Sequence, residues 1–140
     1  MTRNELDKAV DIVMYIAKTY NRNDTSYIAR IETKFGLQQF NNLYHYQGIL
    51  VKYFIVISPT WSGPYEINFR REFSIEQLAQ IYRGTFLLEV LFFGGVMGSV
   101  SAVDKIYSVL AKRNHDVAMK MRKWDNNYYK CIDLENTINK

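Results

Sequence analysis

Proline occurs only twice in the 140 residues, at Pro59 and Pro64, and the pair brackets Thr60-Trp61-Ser62-Gly63 between runs rich in Ile, Val, Phe and Tyr. Proline cannot donate a ladder hydrogen bond and glycine accepts positive φ, so Pro-x-x-x-Gly-Pro is a turn signal. Its β-branched and aromatic flanks favour extended backbone. The pattern predicts a β-hairpin with strands at residues 49–58 and 65–69 and Trp61 at its tip. The rest of the chain has helical periodicity, so the expected fold class is mainly α with one β-hairpin, an α+β arrangement.

Ahead of the hairpin, Leu6, Val10, Val13, Ile16, Ala17 and Tyr20 form a helical stripe over residues 4–20, with acids at its start and Lys18 near its end. Asp24 or Thr25 can cap a second helix through Tyr27, Ile28, Ile31 and Phe35, which Gly36 closes. A third helix is expected from Gln38 to Tyr46, ended by Gly48. Behind the hairpin, Ser74-Ile75-Glu76-Gln77 has the form of a capping box, with Phe73 and Leu78 placed as its hydrophobic staple, so a fourth helix starts near Ser74. Val117, Met121, Trp124, Tyr128, Cys131, Glu135 and Ile138 then alternate at spacings of four and three. This heptad seam can be buried against the helix around Val103, Ile106, Val109 and Leu110, or against a second chain. The expected organisation is a unit over 1–73 followed by a helical packing and oligomerisation extension over 74–140.

The most apolar stretch, residues 85–103, is long enough as a helix to cross a bilayer, and its Gly-x-x-x-small pattern suits membrane helix packing. Glu89 within it and basic residues on both flanks, Arg83 before and Lys105, Lys112 and Arg113 after, oppose a span. A buried helix pair or an oligomer interface explains the same apolarity at lower cost, and is the preferred reading.

The order helix, helix, glycine turn, helix, strand, pointed turn, strand over residues 4–70 resembles the winged helix-turn-helix fold. Residues 31–37 carry the second helix and turn, residues 38–47 the recognition helix, and residues 48–52 the entry to the wing. The resemblance implies that the third helix docks in a major groove, presenting Gln38, Gln39, Asn41, Asn42 and His45 to base edges, with the Trp61 wing beside it. Such motifs usually carry a small residue where Glu32 stands, and this recognition helix holds no Arg or Lys. Phosphate contacts would therefore fall to Arg30, Lys34, Lys52, Arg70 and Arg71. A net charge of +4 permits a polyanionic partner without requiring one.

A second likeness rests on Leu43-Tyr44-His45-Tyr46-Gln47-Gly48 followed by Trp61-Ser62-Gly63-Pro64, which resembles the Leu-Tyr-x-x-Gln-Gly and Trp-x-x-Gly-Pro landmarks of the Panacea antitoxin domain. The segment between the landmarks is shorter here than in that family. This likeness implies a protein-binding neutraliser and not an enzyme.

Catalytic motifs do not emerge. His45 and His115 are the only histidines and form no H-x-x-x-H pair, and Gly94-Gly95-Val96-Met97-Gly98 lacks the order of a phosphate loop. Cys131 is the single cysteine, so a disulfide within one chain is impossible, and at heptad spacing it reads as a buried apolar side chain. The basic cluster Lys112, Arg113, His115, Lys120, Arg122 and Lys123 reads as the wet face of a helix, though it could touch nucleic acid or an anionic surface. No signal-peptide pattern opens the sequence, and a reducing cytoplasm is the expected compartment. The functional expectation is a non-enzymatic, cofactor-free, sequence-specific DNA-binding regulator, associated with a mobile element. It would act on double-stranded DNA as a homodimer joined through its C-terminal helices. The alternative is an antitoxin-like protein-interaction module, or a membrane-associated protein acting through residues 85–103.

Overall fold

Thr2 opens the first helix by a reciprocal capping box. Its hydroxyl accepts from the Glu5 amide at 3.1 Å, while its own amide donates to the Glu5 carboxylate at 3.0 Å. The computed structural model describes residues 1–59, 61–93 and 101–138, with side chains throughout except at 92, 93 and 129–138. Within those residues the chain forms α1 (Arg3–Thr19), α2 (Tyr27–Phe35), α3 (Leu43–Ile57), α4 (Ile75–Phe93), α5 (Ala102–Arg113) and α6 (His115–Ile138).

Several ends lie where local signals put them. Gly36, at φ 62°, closes α2 in the left-handed region and donates its amide to the Glu32 and Thr33 carbonyls. Ser74 and Gln77 form the anticipated capping box, with bonds of 3.0 and 2.9 Å, and Phe73 and Leu78 are both buried beside it. The helix start near residue 25 is different. Asp24 accepts from the Ser26 amide at 3.0 Å in a turn, and Ser26 precedes α2 without a side-chain cap.

The α+β expectation is overturned in the middle of the chain. Among the described residues there is no strand, and the one β-type pairing is an isolated bridge between Gln38 and Asn41. Neither a hairpin nor a wing exists there, so the winged-helix likeness loses its architecture. The third helix starts at Leu43 instead of Gln38, capped by the Asn42 side chain accepting from the His45 amide at 2.9 Å, and it passes through Gly48 to Ile57. Residues 49–57, expected as the first wing strand, are its last turns.

Burial explains why helix wins over the β propensity of Ile49, Val51, Ile55, Val56 and Ile57. Leu43, Tyr46, Leu50, Tyr53 and Phe54 recur at helical spacing and are buried, and each such side chain is worth about 1.5–3 kcal/mol. The intrinsic penalties of β-branched residues in a helix are below about 0.7 kcal/mol each. Pro59 then ends the helix: Ser58, forced toward extended backbone by the ring that follows it, caps α3 with ψ 140°.

Between α3 and α4 the chain is held without a ladder. Tyr53, fully buried in α3, accepts at its hydroxyl from the Arg71 amide at 2.8 Å and donates to the Arg71 carbonyl at 3.1 Å, satisfying both backbone groups of one residue. Phe69 stacks on the Tyr53 ring, Phe73 sits edge-on to it, and the Arg71 guanidinium pairs with Asp7 of α1 at 2.6 Å. Trp61 folds back on its own loop. Its ring stacks on Tyr65 and covers Gly63, where a methyl would collide with it, and its indole N–H donates to the Tyr65 carbonyl at 3.2 Å.

The core lies where α1 crosses α4, with α3 and α5 packed alongside. Gly84 makes the crossing possible, because a side chain there would enter the Val13 backbone. Glu89 joins α4 to α5. Its buried carboxylate accepts from the Ser101 hydroxyl at 3.0 Å and the Ala102 amide at 2.9 Å, occupying donors that the start of α5 would otherwise leave unpaired. Nearby, Tyr82 in the middle of α4 donates to Asp125, and Arg122 bridges Asp125 and Asp104 of the first turn of α5 while lying over the Tyr107 ring, so that α4, α5 and α6 share one polar junction. Trp124 and Tyr128 of the expected seam pack on Phe86 of α4 within the same chain. The seam's Cys131, Glu135 and Ile138 side chains lie outside those described. So do residues 94–100 of the apolar stretch. Among the described residues no helix is long and apolar enough to cross a membrane.

Candidate functional site

Helix α3 is apolar on two faces, one buried in the core and the other covered only in part. On the outward face Tyr44, Gly48, Val51 and Ile55 follow one another at spacings of four, three and four, a second helical stripe about 16 Å long. Together with Gln47, Lys52 and Tyr65 they line a groove of 400 Å³. The residues after Pro64 supply its far wall through Tyr65, whose ring takes the Lys52 ammonium at 5.5 Å from its centre.

The groove combines large aromatics with missing bulk. Tyr44 is 61% exposed and Tyr65 57%. Gly48 sits in mid-helix, and among the described residues no atom beyond its own stretch of helix lies within 4 Å of where a Cβ would be. A mid-helix glycine costs about 1 kcal/mol relative to alanine, and no packing among the described residues calls for it at this position. Gln47 ties the groove's base to the interior by donating to Glu89 at 3.4 Å. Burial raises the Glu89 carboxyl above its usual range, against the opposing pull of Ser101, Gln47 and the amides of Ala102 and Val103.

The residues expected to read base edges lie together, in the turn before α3 and in its first turn, and several are engaged locally. Gln38 and Asn41 bond each other's backbones, Gln39 offers its carbonyl to the Asn42 side chain at 3.3 Å, and Asn42 is the cap of α3. His45 approaches Glu5 at 3.6 Å. Burial would raise the Glu5 carboxyl, but its bonds to the Thr2 amide and hydroxyl prevail and hold it low. Arg30 pairs with Asp24, and Lys34 lies over the Tyr15 ring at 4.7 Å. Lys52 and Trp61 do come together, both meeting the Tyr65 ring. Arg70 and Arg71 meet Lys112 and Arg113 at a separate cleft.

Sequence reasoning missed Val51 and Ile55, which fall in the expected strand, and the mid-helix place of Gly48, which is expected to end the third helix. Their four-three-four spacing was the available signal, obscured by the apolar residues of the opposite face. Chemically the groove provides shape, apolar area and one cation, a surface suited to holding a polypeptide. Among the described residues no three His, Cys, Asp or Glu side chains gather where a metal could be held. No protein-family model, curated protein or solved structure matches this chain.

Proposed function

We propose that this chain is a non-enzymatic protein-interaction module that seats an amphipathic helix of a partner protein along the outward face of α3. The observation that carries the reading is Gly48: a helix-destabilising residue, exposed, in the middle of an apolar stripe that the core covers only in part. A glycine there lets a partner backbone approach closely, and a partner helix meets such a groove with anchors at i, i+3 or i+4, and i+7. Tyr44 and Tyr65 are the type of large, partly exposed side chain that dominates binding energy, and Lys52 favours a partner with an acidic edge. The Panacea likeness points the same way, because Tyr44, Gln47 and Gly48 belong to its first landmark and line the groove, while Trp61 of the second stacks on Tyr65. On that reading the partner is a protein whose activity the chain restrains.

Gly48→Leu tests this, because it fills the groove without touching the core. Affinity capture with wild-type and Gly48→Leu baits is expected to yield a protein held by wild type alone. A purified helical segment of that protein should then bind wild type at least tenfold more tightly than the variant. Equal binding to both baits and segments would reject the groove. So would saturable, salt-sensitive binding to duplex DNA that Arg70→Ala with Arg71→Ala weakens and Gly48→Leu leaves intact, which would restore the regulator expectation.

A further inference from the structure

Two basic pairs that lie some forty residues apart in sequence, Arg70-Arg71 and Lys112-Arg113, converge on one cleft of 460 Å³ between the segment before α4 and the end of α5. The cleft is distinct from the α3 groove and independent of the role assigned to it. Its walls are apolar, formed by Ile57, Leu78 and Val109 with the ring of Phe73. The Arg71 charge is already taken by Asp7, and Arg113 is fixed at the mouth by donating to the Phe73 carbonyl, with further guanidinium donors to spare. Among the described residues neither Arg70 nor Lys112 has a carboxylate partner, and Glu72 is the one acid in the lining. Arg70, Lys112 and Arg113 therefore face Glu72 alone, an excess of two positive charges at the rim of an apolar pocket of ligand size.

We propose that this cleft binds a small organic anion, an apolar body carrying a single carboxylate or phosphate head. The apolar body would enter between Ile57, Leu78 and Val109, and the head would meet the rim cations, Arg113 offering a paired donor fork and Lys112 a point charge. Neither half suffices by itself. A bare phosphate leaves the walls in contact with water, and a neutral alcohol leaves the cations without a partner.

The test is a titration of the full chain with octanoate, octyl phosphate, octanol and inorganic phosphate, followed by backbone amide NMR shifts. Octanoate and octyl phosphate are expected to saturate with shifts centred on residues 70–73 and 109–113. Octanol and inorganic phosphate should bind at least tenfold more weakly. Arg70→Gln with Lys112→Gln, both exposed and therefore tolerated by the fold, should lower octanoate affinity at least tenfold and leave octanol unchanged. Octanol binding as tightly as octanoate would overturn the proposal. Saturation by inorganic phosphate alone, shifts centred on Val51 and Ile55, or a double variant with unaltered octanoate affinity would do the same.

Discussion

Gly84→Ala is the sharpest perturbation of this fold. A methyl at Gly84 would stand 2.5 Å from the Val13 carbonyl carbon and closer still to its oxygen. Carbon atoms pack at about 3.5–4.0 Å, so α1 and α4 would have to part by at least about 1 Å. The obstacle is backbone, which cannot turn aside as a side-chain tip can. A gap of that size forfeits roughly a quarter to a half of the dispersion energy across the contact, at the crossing where Val10, Val13 and Ile16 meet the buried residues of α4. Overpacking typically costs about 1–3 kcal/mol, and a rigid backbone partner places this case at the top of that range. Alanine returns about 1 kcal/mol of helix propensity, leaving a net loss of about 2 kcal/mol. In a domain of this length that lowers Tm by roughly 6 °C. Gly48→Ala is the internal control: the same exchange in mid-helix, with nothing near the new methyl, should gain about 0.5–1 kcal/mol. Urea unfolding followed by far-UV circular dichroism measures both. If Gly84→Ala proves as stable as wild type, the account of the α1–α4 crossing is wrong.

Tyr53→Phe strips both backbone groups of Arg71 of their partner and should cost about 1–3 kcal/mol in urea unfolding, with faster hydrogen exchange at the Arg71 amide. An unchanged exchange rate would show that Tyr53 does not hold the segment. Thr85→Val should stabilise by up to about 1 kcal/mol, because the buried Thr85 hydroxyl finds no hydrogen-bond partner among the described residues; a loss of stability contradicts that. Glu89 has a folded-state pKa above its ordinary 4.5, so its contribution is fully present below about that pH and is lost as pH rises through the folded value. The stability of wild type relative to Glu89→Gln should therefore fall as pH rises above that ordinary value, and a pH-independent difference would refute the assignment.

Legibility of the fold tracked the reach of each signal. The Ser74–Gln77 box and the left-handed Gly36 could be read because donor, acceptor and conformational demand all lie within a few residues. The run from Ile49 to Ile57 could not, because apolar residues fill both of its faces and leave neither period distinct. The two prolines predict the corners of a hairpin; Pro59 does sit in a turn, closed by the Trp61 amide on the Ser58 carbonyl at 3.1 Å, but that turn follows a helix, and Pro64 leads into the loop whose Tyr65 walls the groove. For the candidate site, the landmark residues Tyr44, Gln47 and Gly48 were visible, but the expected DNA-reading set included Asn42, whose side chain is spent capping α3.

By itself the sequence determined where α2 closes and where α4 starts, since a cap is a hydrogen bond between near neighbours and needs nothing from the remainder of the chain. It also made the basic pairs and the apolar run inevitable as composition. Only the tertiary structure decided that the apolar run is helical, that Glu89 serves the start of α5, and that Arg70 and Lys112 share a cleft. Those outcomes depend on which surfaces become buried together, and burial is settled by partners tens of residues away.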